Sequence, residues 1–249
     1  MNFVRKAFLV TAIAGGCSGA WADFSGSGQL GVVSAHGNTN SQSANAKLDL
    51  AEKLEYWKHK FGFNALYGQS DNITSANRWD TSWESDYKLT KRLFWFGGLR
   101  YEKDKFGAFS YQGTVTTGIG YQIFDTDTTE LSVQLGAGYK RSLPQTLVKD
   151  ADTGKVIQRI DGDVSNRAVV TGGLDFSHQL TDSTKVLNTF LVESTTDNTF
   201  MKNNLALQVA ISDKLALSVG YEARENTSPP PDQHRLDTLT TLNLVYKIK

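Results

Sequence analysis

The side chains best suited to metal binding or catalysis in this chain are four histidines, which lie far apart at His36, His59, His178 and His234. None belongs to an H-E-x-x-H pattern or to a Cys/His pattern, the spacings that bring ligands together on one ion. The sequence therefore predicts no metal site and no cofactor.

A calcium-loop pattern can also be traced from Asp150 to Gly154. Its glycine comes one residue too early for an EF-hand loop, so a polar turn is the simpler interpretation. Gly26, Gly28 and Gly31 do not form a nucleotide fingerprint, because no βαβ unit follows them. In a barrel wall these glycines would instead permit strong bending.

Hydrolysis of lipid esters is the enzymatic alternative that the sequence leaves open. A serine nucleophile needs a histidine within hydrogen-bond reach and a third polar group that orients the histidine. No stretch sets serine, histidine and asparagine together at adjacent outward positions of a strand. We therefore predict no catalytic residue and no enzyme, with an acyl hydrolase that depends on His178 or His234 as the alternative.

Any site must be positioned by β-strands, because the dominant sequence period is two. The stretch RWDTSWESDYKL, from Arg78 to Leu89, alternates between a largely aromatic set and a charged or polar set. A helix would scatter its charges over more than half of the circumference, whereas a strand sorts them onto one face. Similar alternation recurs along the chain and predicts about twelve strands.

The links between the predicted strands alternate in length. The short links are 56–58, 90–92, 125–128, 179–183 and 212–214. The longer polar links are 36–41, 70–77, 104–110, 142–166, 195–202 and 223–234. All four prolines fall in the long links, as ladder hydrogen bonding requires. This arrangement predicts a closed antiparallel transmembrane barrel with short periplasmic turns and long extracellular loops. The longest link contains a candidate hairpin around residues 149–154.

The N-terminal residues 1–22 predict a secretory signal peptide, which leaves residues 23–249 as one barrel domain. Arg5 and Lys6 precede a short apolar run, and Ala20 and Ala22 form an A-x-A cleavage site before Asp23. After residue 20 no run of eighteen apolar residues occurs, which excludes ordinary transmembrane helices.

The charge balance and the cysteine content narrow the function further. Lys+Arg and Asp+Glu number 26 each, so no long-range field favours nucleic acid as a partner. The single cysteine, Cys17, would leave with the signal peptide. Backbone pairing and side-chain packing must then hold the mature chain together without a disulfide.

The aromatic residues indicate that the apolar face points to lipid and the polar face to a lumen, because aromatic residues near strand ends fit the interfacial girdles of a membrane barrel. The predicted lipid-facing residues are Trp79, Trp83, Tyr87, Trp95, Tyr121, Tyr139 and Tyr246. The predicted lumen-facing residues of the same stretch are Arg78, Asp80, Glu84, Asp86 and Lys88. Further inward charges are expected at Lys47, Asp49, Arg100, Glu102, Lys140, Arg167 and Asp175.

These inward charges could pair across a narrow lumen and plug it, or they could line a weakly selective pore. A secreted soluble β-barrel that binds a ligand is the other alternative, because soluble sheets alternate as well.

Three stretches resemble the salt-induced outer membrane protein family, also called the domain of unknown function 481 family. They are HGNTNSQSANAKLDL from His36 to Leu50, KRLFWFGGLRYEKDKF from Lys91 to Phe106, and NTSPPPDQHRLDTLTTLNLVYKI from Asn226 to Ile248. The resemblance implies an outer-membrane β-barrel of a Gram-negative bacterium with no established molecular function. It also implies outer-membrane lipid and the barrel assembly machinery as partners, and a response to salt, but it gives no oligomeric state.

Overall fold

The computed structural model describes residues 23–35, 41–71, 73–151, 153–230 and 234–248. The predicted signal peptide with Ala20 and Ala22 lies outside the described residues, as do His36 and Asp152. The regular structure of the described residues is β throughout. None of them forms a helix that is long and apolar enough to cross a membrane.

Thirteen strands form within these described ranges. They are β1 (Asp23–Ala35), β2 (Ser41–Lys53), β3 (Trp57–Ser70), β4 (Ile73–Lys88), β5 (Leu93–Asp104), β6 (Phe109–Asp125), β7 (Thr129–Lys149), β8 (Val156–Asp161), β9 (Ser165–Thr181), β10 (Thr184–Ser194), β11 (Thr199–Ala210), β12 (Leu215–Asn226) and β13 (Leu236–Ile248).

Twelve of these strands close into one antiparallel ring. Each strand from β1 to β7 pairs with the next, β7 then pairs with β9, and β9 to β13 again pair in order. The ring closes where β13 pairs with β1, from Gly26 opposite Ile248 to Leu30 opposite Leu244. The prediction of a closed barrel of about twelve strands is confirmed.

The thirteenth strand, β8, pairs with the last part of β7 and projects beyond the ring. Gln145 to Lys149 lie opposite β8, and the turn between them contains Gly154 at a φ of +68°. This left-handed backbone conformation suits glycine because it has no Cβ. The hairpin predicted inside the longest link is therefore present.

The two ends of the barrel differ less in link length than the sequence predicts. The expected link 70–77 shrinks to residues 71–72, link 104–110 to 105–108, and link 195–202 to 195–198, because the flanking strands continue. Polar residues such as Asn77 and Lys202 are therefore paired strand residues. We call the end with Asp23, Ile248 and the short links the turn end, and the opposite end the loop end.

The interior of the barrel is polar and its outer surface is apolar. On β4, Asp80 and Asp86 are 5% and 6% exposed, whereas Trp83 on the opposite face is 46% exposed. Apolar side chains are exposed all around the ring, among them Leu30, Leu99, Ile119, Leu135, Val170, Val219 and Leu242. The strand period of two therefore places the charged set of each strand inside the ring.

One side of the interior is filled by an aromatic side chain that lies against inner glycines. Phe96 is 2% exposed, and a Cβ built at Gly118 or at Gly136 would lie 2.8 Å from its ring. The absence of side chains at these inner positions of β6 and β7 makes room for the Phe96 ring, and the ring narrows the lumen.

Candidate functional site: the barrel lumen

Ion pairs cross the lumen between opposite walls. Arg224 on β12 pairs with Glu102 on β5, and Lys202 on β11 pairs with Asp80 on β4, the latter at 3.4 Å. In each case the two strands are six steps apart in either direction around the twelve-strand ring. These side chains therefore close the lumen at their level.

The densest layer lies near the loop end, and we call it the septum. Its members are Arg100, Glu102, Lys140, Glu193, Phe200 and Arg224. Glu193 accepts two hydrogen bonds from Arg100, at 2.8 Å and 2.7 Å, and one from Lys140 at 2.8 Å. Glu102 accepts hydrogen bonds from Arg100, at 3.1 Å, and from Arg224. The two-point contact between Arg100 and Glu193 fixes both side chains more firmly than a single contact would.

Phe200 forms the apolar centre of the septum and has no exposed surface. The guanidinium carbons of Arg100 and Arg224 lie 5.0 Å and 5.4 Å from the centre of its ring, and Lys140 Nζ lies 5.3 Å away. All three distances are within the range of cation–π attraction. Three cations thus surround one aromatic ring inside the barrel.

Two further groups of charges lie inside the ring next to the septum. In the first, Arg78 contacts Glu222 at 2.5 Å, and Lys202 contacts Glu222 at 3.5 Å in addition to Asp80. In the second, Lys60 contacts Glu84 at 2.6 Å, Asp86 at 3.1 Å and Asp175 at 3.7 Å. Gln134 also donates to Glu84 at 3.0 Å.

The septum separates two cavities. The inner cavity, about 800 Å³, reaches from Ser25 and Lys58 near the turn end to Arg100 and Glu193 of the septum. The outer cavity, about 400 Å³, lies at the loop end and is lined by residues that include Lys140 of the septum. The side-chain layer that contains Arg100, Glu193 and Lys140 therefore divides the polar interior.

The outer cavity carries one further ion pair. Arg167 donates to Asp197 at 2.5 Å, and Thr196 donates to the same carboxylate at 3.1 Å. These hydrogen bonds lower the pKa of Asp197, because both stabilise the ionised carboxylate. Asp197 is thus held as the partner of Arg167 at the loop end.

The structure brings four of the five predicted lumen residues into ion pairs. Arg78, Asp80, Glu84 and Asp86 each contact an opposite charge on another strand. Lys88 differs, because it is exposed at the turn end, where its Nζ donates to the Glu55 carbonyl oxygen at 3.0 Å. That they face an aqueous lumen remains a prediction.

The predicted lipid-facing aromatics lie on the outer surface. The exposed ones are Trp83, Tyr87, Trp95, Tyr121, Tyr139 and Tyr246. Trp79 is half-buried, because its ring packs at 5.4 Å from the ring of Tyr101. Their contact with lipid remains a prediction.

Several residues of the lumen were not identified from the sequence, namely Lys60, Glu193, Phe200, Lys202, Glu222 and Arg224. On β11 and β12 the even-numbered positions carry this polar set, so the alternation of those strands contained the signal. Single-strand alternation, however, does not show which opposite wall a charge reaches.

The structure brings one serine and one histidine together on the outer face of the barrel. Ser85 on β4 lies opposite His59 on β3, and Ser85 Oγ is 2.9 Å from His59 Nδ1. No single stretch of sequence contains this pair, because its members are 26 positions apart and meet only between two strands. His178 instead contacts Thr129, at 2.8 Å, and His234 lies in an exposed link.

Trp83 and Trp57 surround the Ser85–His59 pair. Trp83 Nε1 donates to Ser85 Oγ at 2.9 Å, and the Trp57 ring stacks on His59 at 5.8 Å. Glu52 lies opposite His59 on β2, but none of the described residues forms a hydrogen bond with the second ring nitrogen of His59. In the same described ranges, no three His, Cys, Asp or Glu side chains converge in a way that could hold a metal ion.

The chain is similar in sequence to a bacterial protein and in fold to solved barrel structures. The E. coli (strain K12) "Uncharacterized protein YdiY" is 24% identical over 226 residues, which covers 90% of this chain and 83% of YdiY. The NanC porin superimposes with a TM-score of 0.49 and 11% identity over 91% of this chain and all of NanC. The KdgM porin gives a TM-score of 0.44 and 9% identity over 90% of this chain and 99% of KdgM. The model of the family "Protein of unknown function, DUF481" matches residues 28–248. The chain therefore belongs to the DUF481 family, as the resemblance of its motifs predicted.

Proposed function

We propose that this protein is an outer-membrane β-barrel of a Gram-negative envelope that acts as a narrow channel for small solutes. The observation that carries the proposal is the division of a polar lumen into two cavities by one side-chain layer, the septum. The cavities lie toward opposite ends of the barrel, so rearrangement of this layer alone would connect them.

The outer surface supports placement in a membrane. Trp79 and Tyr87 on β4 belong to two aromatic groups, because Trp79 packs near Tyr101 and Tyr87 packs 5.0 Å from Trp57. Eight residues separate them, about 27 Å along the strand at about 3.4 Å per residue. A strand tilt of about 40° reduces this to about 21 Å along the barrel axis, close to the apolar band of outer-membrane barrels.

The alternative of a soluble barrel fits this surface poorly. Leu135, Leu242 and Val170 are each more than half exposed on different strands of the ring. Soluble monomers rarely expose apolar area of this extent. The proposal further includes contact with outer-membrane lipid, insertion by the barrel assembly machinery, and a role under salt or osmotic stress. The role under stress comes from the family resemblance alone.

Two measurements test the channel proposal. Fractionation should recover the protein in detergent-extracted outer membrane, with gel mobility that changes on heating as expected for a folded barrel. The purified protein in planar bilayers should then show discrete conductance steps. Recovery in the soluble periplasmic fraction would refute the membrane placement, and a flat trace at every voltage would refute the channel.

A second candidate function is an outward-facing acyl hydrolase, which Ser85 and His59 favour. Ser85 Oγ would attack the ester carbonyl while His59 takes its proton, and the ester bond would break as His59 returns that proton to the departing lysophospholipid alcohol. Water activated by His59 would then hydrolyse the acyl-enzyme, which releases the fatty acid and restores the Ser85 hydroxyl. Ser85→Ala should abolish release of fatty acid from phospholipid vesicles, whereas Ser82→Ala on the inner face of β4 should not. No release by the unmodified protein, or equal release by both variants, would exclude this function.

A further inference from the structure

The septum holds its cations and its carboxylates in different ways. Arg100, Lys140 and Arg224 each contact the Phe200 ring in addition to a carboxylate. A buried aromatic ring attracts cations through its quadrupole and repels anions from its face. The three cations are therefore held near β11 by their contacts with the Phe200 ring, independently of their ion pairs.

Among the residues that the structure describes, the two carboxylates of the septum have no such second attachment. The hydrogen bonds of Glu193 come from Arg100 and Lys140, and those of Glu102 come from Arg100 and Arg224. Every donor to either carboxylate is thus one of the three cations. A rearrangement that releases Glu193 would leave the cations in place around Phe200.

The route into the septum from the loop end also passes cations. Lys140 and Arg167 line the outer cavity, and Asp197, the acidic residue that lines it, is paired with Arg167. On the other side of the septum, Arg78 and Lys202 line the inner cavity within reach of Glu222. Cations therefore line the outer cavity and the septum, whereas the inner cavity beyond them is lined by cations and carboxylates together.

We infer that the septum is an anion-selective gate, in which Glu193 and Glu102 occupy the positions that a permeating anion takes when the gate opens. The class of solute that follows is a small organic anion with a carboxylate group, because this group reproduces the contacts of Glu193 with Arg100 and Lys140. Rings of Arg and Lys are a common basis of anion selectivity in pores. The inference rests on the proposed channel function and assigns its selectivity.

The test is the reversal potential of the purified protein in planar bilayers under a KCl gradient. The wild type should open rarely and prefer chloride over potassium. Glu193→Gln should open more often, because Lys140 loses its carboxylate partner and Arg100 keeps only Glu102, and it should keep the chloride preference. Lys140→Gln should weaken that preference, whereas Lys88→Gln, which removes an exposed cation at the turn end, should leave it unchanged. Heat-modifiable gel mobility verifies that each variant is folded.

A second measurement addresses the class of solute. Acetate added to the loop-end side should lower the chloride current through Glu193→Gln in a concentration-dependent manner, and uncharged glycerol should not. Open channels that prefer potassium, or show no preference, would overturn the anion gate while leaving the channel intact. A flat trace for the folded wild type and for every folded variant would overturn both.

Discussion

Glu102 on β5 accepts a hydrogen bond from Arg224 on β12, a strand that lies directly across the lumen. Both residues are buried, at 2% and 6% exposure, inside a barrel whose outer face is apolar. Burial of two charges costs free energy that their attraction only partly returns, so the pair adds little net stability. Its consequence is geometric, because it ties two opposite walls together and makes each charge dependent on the other.

Removal of one partner should therefore be costly. Glu102→Gln leaves Arg224 and Arg100 without this carboxylate, and we expect the free energy of unfolding to fall by about 3–5 kcal/mol. Urea titration of tryptophan fluorescence in lipid vesicles measures the change. The control is Asp49→Asn, which breaks a pair with Lys47 whose side chains are 37% and 46% exposed, and it should cost about 0–1 kcal/mol. Equal losses in the two variants would contradict the role of the cross-lumen pair.

Trp83 and Ser82 are neighbours on β4 that lie on opposite faces of the wall. An arginine at the outer position would meet lipid, and we expect Trp83→Arg to lower the free energy of unfolding in a bilayer by about 2–4 kcal/mol. Ser82 lines the inner cavity, where an arginine has room and polar neighbours, so Ser82→Arg should be tolerated far better. The two variants are compared by urea titration in vesicles, and equal tolerance would argue against lipid on the outer face.

The faces of the strands follow from the sequence, but their partners do not. The alternation around Arg78 and Asp80 predicts that both are turned inward, and the structure pairs both of them with opposite charges. The opposite charge that each residue meets depends on the number of strands and on the stagger of the whole ring. No single stretch of sequence determines these two properties. The predicted links are longer than the observed ones, because the polar ends of the strands have the sequence composition of loops.

The same limit applies to pairs between strands. Ser85 and His59 are 26 positions apart in the sequence, and only the register of β3 against β4 brings them together. The sequence does not single out Phe200, because one buried aromatic residue at the beginning of a strand has no pattern that separates it from the many outward aromatics. Its role appears only when the three cations around it are seen together.

Gly136 on β7 is predicted to be intolerant of a side chain. A Cβ there would lie 2.7 Å from the Thr117 carbonyl oxygen and 2.8 Å from the Phe96 ring, so Gly136→Ala must displace backbone or ring. Such overpacking costs about 1–3 kcal/mol. Gly28 on β1 has no atom within 4 Å of an added Cβ, which makes Gly28→Ala the matched control. The temperature at which the gel mobility changes should fall for Gly136→Ala alone, and a similar fall in both variants would contradict the role of Phe96.

The seam between the first and last strands is the shortest ladder of the ring. β1 and β13 pair over five positions, whereas β1 and β2 pair over thirteen. Leu30 and Leu244 lie opposite each other in this ladder, and both are exposed on the outer face. Opposed strand residues have Cβ atoms near the separation that a disulfide spans.

In a Cys17→Ser background, the double variant Leu30→Cys/Leu244→Cys should therefore form a disulfide within one chain. The bond joins residues far apart in the sequence, so it should raise the free energy of unfolding by about 2–4 kcal/mol. Non-reducing gels and urea titration detect the bond and its effect. Leu30→Cys/Leu207→Cys is the control, because Leu207 is also exposed but lies on β11, which does not pair with β1. If the first pair failed to oxidise, or the two pairs oxidised equally, β13 would not close the ring against β1.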